Sequence, residues 1–101
     1  MSTMRESQIE RFLVRKVKEH GGLCFKFVSP GNPGVPDRIV ITPNGKTIYV
    51  ELKTDTGRLA KIQKWQRSEM EKRRADVRVL YGLDDVKEFL REVFGRAIYP
   101  A

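Results

Sequence analysis

The segment from Gly34 to Lys53 places the strongest constraint on the fold, because it has the pattern of a β-hairpin with charged groups on its strands. Strict alternation runs from Thr47 to Lys53 and puts Glu51 and Lys53 on the same face of one predicted strand. Asp37 begins the partner strand, directly after a loop that contains prolines. We therefore expect the three charged groups to gather at one end of a sheet.

Two carboxylates and an ammonium group in this arrangement suit metal-assisted hydrolysis of a phosphodiester. Mg²⁺ takes oxygen ligands and keeps several waters, so Asp37 and Glu51 could ligate it. Lys53 beside them can orient or deprotonate a water, or stabilise charge on a phosphate oxygen. The alternative interpretation is a solvated hairpin with an incidental ion pair, since surface ion pairs are common and contribute little to stability.

The charge balance points to a polyanionic partner. A net charge of +7 favours nucleic acid, because clustered Lys and Arg gain affinity for phosphates by releasing counterions. The alternative is that this charge serves solubility alone. A single cysteine, Cys24, excludes an internal disulfide and a cysteine metal cluster, and we expect it to be a buried thiol. A single histidine, His20, excludes nucleases that need a histidine pair.

The length and the hydropathy pattern predict one soluble domain that spans residues 1–101. No apolar run approaches the roughly 20 residues that a membrane helix requires. The N-terminus lacks the apolar stretch of a signal peptide. We therefore expect a cytoplasmic protein with no membrane partner.

Hydrophobic periodicity predicts three helices and two further strands around the hairpin. The predicted elements are a helix over about 5–20, a strand over 23–29, a helix over about 59–74, a strand over 76–81 and a closing helix that Asp84 and Asp85 can cap. A strand, a helix and another strand in succession imply a right-handed parallel crossover. The sequence therefore predicts an α/β fold with a mixed four-stranded sheet.

Apolar residues of the last two predicted helices are candidates for burial. Leu59, Ile62 and Met70 suggest the buried side of the helix that follows the hairpin. Trp65 lies on the same helix, and we interpret it first as a core residue and second as an interface residue. The closing helix has a strong apolar stripe, which predicts packing either on the sheet or on a second subunit.

The charged hairpin resembles a known nuclease signature. Pro36-Asp37 followed by Glu51-Leu52-Lys53 resembles the motif of the PD-(D/E)xK nuclease superfamily. The longer pattern, Gly34 to Val40, Val50 to Lys53 and Gly57 to Gln63, resembles the VRR-NUC (virus-type replication-repair nuclease) family, and the resemblance covers nearly the whole chain. It implies a restriction-endonuclease-like core of order α-β-β-β-α-β, with a mixed four-stranded sheet flanked by helices, plus a C-terminal helix.

The resemblance also implies roles in a metal-dependent DNA endonuclease. Asp37 and Glu51 would hold Mg²⁺ or Mn²⁺ together with the Leu52 carbonyl. Lys53 would act on the attacking water or on the transition-state charge, and Gln63 would orient the site.

The first helix supplies one further carboxylate if the resemblance holds. Related folds place a glutamate of this helix beside the metal, usually through a water. Glu10 lies 11 residues before Gly21, a spacing that resembles the Holliday junction resolvases of the superfamily. We therefore prefer Glu10 and keep Glu6 as the alternative.

The expected partner is DNA, contacted by basic and polar residues near the proposed site. The predicted DNA contacts are Arg58, Lys61, Lys64, Arg67, Arg38 and Ser29. Members of the wider superfamily act as dimers on branched DNA, so we expect a homodimer that cleaves structures such as Holliday junctions, with the closing helix or Trp65 at its interface. Two alternatives stay open: a nucleic-acid-binding module without catalysis, and a nuclease subunit that requires a partner for activity.

Overall fold

A computed structural model describes residues 4–95 of the chain. The element order is α-β-β-β-α-β-α, which confirms the predicted order. The elements are α1 (Glu6–Glu19), β1 (Leu23–Lys26), β2 (Arg38–Ile41), β3 (Thr47–Lys53), α2 (Lys61–Lys72), β4 (Val77–Tyr81) and α3 (Gly82–Phe94). Within this part of the chain, none of the helices combines the length and the apolar character needed to span a bilayer.

The four strands form one mixed sheet in the order β1-β2-β3-β4. β1, β2 and β3 are an antiparallel meander, and β4 joins β3 in parallel after the crossover through α2. In this register Glu51 lies opposite Val79, and Lys53 lies opposite Tyr81. The mixed sheet and the restriction-endonuclease-like core are therefore confirmed.

The core lies between one face of the sheet and helices α1 and α3. Apolar residues four apart on α1 meet alternate residues of the strands and the stripe of α3. The fully buried members are Ile9, Leu13, Val17, Val40, Ile48, Val50, Leu52, Val86 and Leu90. The closing helix thus packs on the sheet of its own chain, so its apolar stripe is not an exposed interface.

Helix α2 packs on the other face of the sheet and buries none of its residues fully. Ile62 is 42% exposed and Trp65 is 55% exposed, so the interpretation of Trp65 as a core residue is wrong, as is the burial expected of Ile62. Leu59 and Met70 are half-buried. The reason is that α2 lies over the polar end of the sheet, where its inward residues meet charged groups rather than a second apolar core.

Several element boundaries differ from the predictions by two or three residues. β1 ends at Lys26, and the Phe27 amide then donates to the Asp37 carbonyl at 2.8 Å. α2 begins at Lys61. α3 begins at Gly82, and Asp85 accepts a hydrogen bond from the Tyr81 amide at 2.8 Å from inside the helix.

Candidate active site

The two hairpin carboxylates meet at the end of the sheet that α2 covers. Val50 and Leu52 point into the core, so Glu51 between them points to the opposite face. Its side chain is 5% exposed. Asp37 lies just before β2, and its Oδ2 accepts a hydrogen bond from the Leu52 amide at 3.0 Å. That bond ties Asp37 to the strand that carries Glu51.

The protonation of Glu51 reflects this crowding. Burial, and after it the negative charge of Asp37, raises the pKa of Glu51 to about 8. Lys53 lies 3.6 Å away, from Nζ to Glu51 Oε2, and its charge offsets part of the increase. An acid pair in which one carboxylate is this deeply buried gains from an added cation.

Gln63 and Lys53 converge on the same oxygen of Glu51. Gln63 Nε2 donates to Glu51 Oε2 at 3.0 Å, and Gln63 Oε1 accepts from the Ala60 amide at 2.8 Å. The second bond caps the start of α2 and holds the amide in one orientation. The structure therefore brings Asp37, Glu51, Lys53 and Gln63 together.

The two candidate glutamates of α1 lie one turn apart and have different partners. Glu10 Oε2 accepts a hydrogen bond from Arg38 Nε at 2.8 Å, in a part-buried ion pair. The charge of Glu6 instead contributes to the raised pKa of Glu51. The pKa of Glu6 is raised too, by burial first and by Asp37 next. Of the two, Glu6 is therefore the glutamate that interacts electrostatically with the acid pair.

A close approach between a loop and α2 seats this helix over the carboxylates. A Cβ added at Gly34 would lie 2.7 Å from the Ile62 carbonyl oxygen, so the loop backbone presses directly against α2. Gln66 Nε2 donates to the Pro33 carbonyl at 3.1 Å nearby. The sequence pattern identifies Gly34 as a turn residue, but its contact with α2 depends on elements that are distant in sequence.

The donor set fits a hard divalent cation. Within residues 4–95, no three side chains drawn from His, Cys, Asp and Glu come together as a ready ligand set. Mg²⁺ does not require one, since it is usually held by one or two carboxylates and retains several waters. Asp37 and buried Glu51, with the Leu52 carbonyl predicted beside them, offer oxygen ligands of the kind that suit Mg²⁺ or Mn²⁺.

Three of the predicted DNA contacts have partners inside the protein. Arg38 is held in the ion pair on α1. Arg67 Nε lies 3.4 Å from Glu71 Oε2. Ser29 Oγ accepts from Asn32 Nδ2 at 3.0 Å. Arg38 is the least available of the three, because its part-buried guanidinium already holds a carboxylate.

The other three predicted contacts are exposed near the start of α2. They are Arg58, Lys61 and Lys64. Among the residues that the structure describes, no acidic side chain forms an ion pair with any of them. By contrast, both Lys72 and Arg73 at the far end of α2 pair with Glu69. Three cations that form no ion pair within residues 4–95 therefore lie around the start of α2, the helix that brings Gln63 to Glu51.

Comparisons with known proteins give matches in sequence and in fold. The family model described as VRR-NUC domain matches residues 1–84. A protein of Acyrthosiphon pisum secondary endosymbiont phage 1, named "Putative nuclease p44", is 57% identical over 53 residues. That match covers 52% of this chain and 57% of the relative, so the two share little more than half of their lengths.

Two solved structures are similar in fold. One, named "VRR_NUC domain", has a TM-score of 0.80 and 26% identity, and the match covers 85% of this chain and 94% of the other. The second, named "VRR_NUC domain protein", has a TM-score of 0.73 and 15% identity over 94% of this chain and 93% of the other, and it speaks to the fold alone.

Proposed function

This chain belongs to the VRR-NUC domain family, and from that premise we propose that it is a metal-dependent nuclease that hydrolyses phosphodiester bonds in DNA. The observation that carries the proposal is the buried Glu51 carboxylate, which lies beside Asp37 and is contacted on one oxygen by both Lys53 and Gln63. Burying a carboxylate next to another carboxylate is costly, so a role beyond structure is the physical reason to retain it.

Asp37 and Glu51, with the Leu52 carbonyl, would hold Mg²⁺ or Mn²⁺. When bound, such a cation supplies positive charge that offsets the charge developing on the phosphate. Gln63 keeps the Glu51 carboxylate in one orientation through its amide hydrogen bond. Lys53 Nζ lies 3.6 Å from Glu51 Oε2. Its ammonium group can donate a hydrogen bond to the attacking water or to a phosphate oxygen.

Glu6 is the helix carboxylate that we assign to the site, in place of Glu10. The negative charge of Glu6 contributes to the raised pKa of Glu51. Glu10 forms an ion pair with Arg38, whereas Glu6 has no such ion pair within residues 4–95. Glu6 would accept a hydrogen bond from a water beside the carboxylate pair. Glu10 would instead fasten α1 to β2.

We further propose that the substrate is branched DNA, such as a four-way junction, and that the chain acts as a homodimer. Arg58, Lys61 and Lys64 would contact phosphates next to the site. One copy of this size covers little more than a turn of duplex, so cutting two strands requires a second copy. For the dimer interface, exposed apolar residues are better candidates than α3, whose apolar stripe packs on the sheet of its own chain. They are Leu23, Phe25, Val28, Ile62 and Trp65.

The test is cleavage of labelled DNAs by the wild type, Asp37→Ala and Lys53→Ala, with Mg²⁺, with Mn²⁺ and with EDTA. The DNAs are a single strand, a duplex, a flap and a four-way junction. Lys46→Ala is the matched control, because this exposed lysine lies in the hairpin turn at the opposite end of the strands. We expect cleavage to require the metal, to be lost in both site variants and to persist in the control.

Other outcomes identify the alternatives. Binding without cleavage, unaffected by Asp37→Ala or by EDTA, would mean a nucleic-acid-binding module without catalysis. Metal binding without cleavage by the isolated chain would mean a nuclease subunit that needs a partner. Cleavage of RNA in preference to DNA would change the substrate class.

A further inference from the structure

A cleft of about 580 Å³ opens beside the proposed catalytic lysine. The loop over residues 55–59 forms one wall, and Lys64 of α2 and Tyr81 of β4 complete it. Tyr81 is the register partner of Lys53 on the adjacent strand. A Cβ added at Gly57 would lie 3.2 Å from the Lys53 Cβ, so the loop folds directly against the lysine. The cleft therefore adjoins Lys53, beside which the scissile phosphate would bind in the proposed nuclease.

The cleft presents positive charge that the described protein leaves uncompensated. Arg58 and Lys64 both line it and are exposed, and neither forms an ion pair within residues 4–95. Two such cations beside a hydrolytic site suit a phosphate of the substrate backbone.

The remaining walls suit a nucleobase better than a second phosphate. Tyr81 contributes a half-exposed ring, and its hydroxyl makes no hydrogen bond to any residue that the structure describes. Asp55 lines the cleft as well, and its carboxylate packs so closely on Gly82 that an added Cβ there would lie 1.6 Å from Oδ1. A carboxylate repels a phosphate but accepts a hydrogen bond from the N–H groups on a base edge.

We propose that this cleft holds an unpaired nucleotide next to the phosphodiester that is cut. Its phosphate lies against Arg58 and Lys64, its base stacks on Tyr81, and Asp55 accepts from the base edge. The inference rests on the proposed nuclease function and deepens it. A base that is already unpaired at a branch or bulge enters the cleft without first leaving the duplex stack, so the cleft selects such structures.

The experiment measures binding by fluorescence anisotropy in EDTA, where no cleavage occurs. The probes are a fully paired duplex, the same duplex with one unpaired nucleotide, and that duplex with an abasic residue at the unpaired position. The full chain is compared with Tyr81→Leu and with Tyr81→Phe, which keeps the ring. We expect the wild type and Tyr81→Phe to bind the unpaired base about 10-fold more tightly than the abasic probe. For Tyr81→Leu we expect that ratio to fall to within about twofold.

A second measurement needs no variant. A 2-aminopurine at the unpaired position should lose fluorescence when the wild type binds, because stacking on the ring quenches it. An equal affinity for the base and the abasic probe, or an unquenched 2-aminopurine, would overturn the inference. An undiminished preference for the unpaired base in folded Tyr81→Leu would also overturn it.

Cleavage in Mg²⁺ separates this inference from the proposed function. Base-dependent binding together with an absence of cleavage would reject the nuclease and leave the nucleotide site standing. Cleavage together with binding that ignores the base would reject the nucleotide site alone. Where both hold, we expect the cut to map next to the unpaired nucleotide, and a cut far from it would contradict the placement of the cleft.

Discussion

The substitution Glu51→Gln should stabilise the metal-free protein, even though it removes a proposed metal ligand. Burial and the charge of Asp37 raise the pKa of Glu51 to about 8. Its ionised form is therefore disfavoured in the folded state. Glutamine has nearly the same shape as the protonated acid, can still accept from Gln63 and can donate to Asp37.

The expected gain in stability follows from the difference in proton binding between the folded and the unfolded state. In the unfolded chain Glu51 ionises near its ordinary pKa, whereas in the folded protein it holds its proton up to about pH 8. The folded state thus binds more protons between these two values, and the free energy of unfolding of the wild type falls as pH rises through that window. The full loss is on the order of 3–5 kcal/mol above pH 8, from about 1.4 kcal/mol for each unit of pKa shift.

The assay is urea unfolding followed by circular dichroism in EDTA at several pH values from 4.5 to 9. We expect the wild type and Glu51→Gln to be about equally stable at pH 4.5, and the variant to be more stable at pH 9. Glu19→Gln is the control, because it removes an exposed helix carboxylate whose ion pairs are weak. Its difference from the wild type should hardly change with pH.

Addition of Mg²⁺ at high pH should make the wild type more stable than Glu51→Gln. The wild type is expected to gain stability above pH 7, because the ionised pair is the form that binds a cation, and Glu51→Gln is expected to gain little. A difference between the two proteins that does not depend on pH would refute the linkage argument. A variant that is less stable than the wild type at pH 9 in EDTA would refute it as well.

Three further predictions follow from contacts elsewhere. Glu6→Gln should lower metal-dependent cleavage at least about 10-fold with little change in stability, whereas Glu10→Gln should mainly lower the urea midpoint; the reverse pattern would restore Glu10 as the site carboxylate. Gly34→Ala should cost about 2 kcal/mol or more, because a Cβ at φ +87° meets a carbonyl of α2. Gly31→Ala, at φ +79° without a described neighbour, should cost about 1 kcal/mol in the same unfolding assay, and equal costs would contradict the packing argument. Burial raises the pKa of the Cys24 thiol to about 11, so alkylation followed by mass spectrometry should be on the order of 100-fold slower than for a free thiol at pH 8; alkylation at the free-thiol rate would contradict this burial.

The sequence by itself was sufficient for the hairpin and the order of elements. Alternation from Thr47 to Lys53 requires that Glu51 and Lys53 share a face in any sheet that buries the residues between them. The helical repeats of α1 and α3 likewise determine which residues enter the core, because the period of a helix is a local property. These features depend on neighbours in the chain, and so a linear pattern can specify them.

Only the tertiary structure distinguishes the surroundings of the two glutamates of α1. Glu6 and Glu10 lie on the same side of the helix, about 6 Å apart along its axis. Which of them reaches Asp37 depends on how far α1 slides along the sheet. That position is set by core packing and by the guanidinium of Arg38, which already holds Glu10.

Trp65 and Tyr81 also have surroundings that a sequence pattern cannot predict. An aromatic residue on a helix usually predicts burial, but α2 lies over the charged end of the sheet and leaves Trp65 exposed. In the sequence Tyr81 has the features of an ordinary strand residue, whereas the parallel register of β3 and β4 places it beside Lys53. A pattern along the chain tells which side chains share a face, whereas what that face meets depends on elements far away in sequence, and only their packing together settles it.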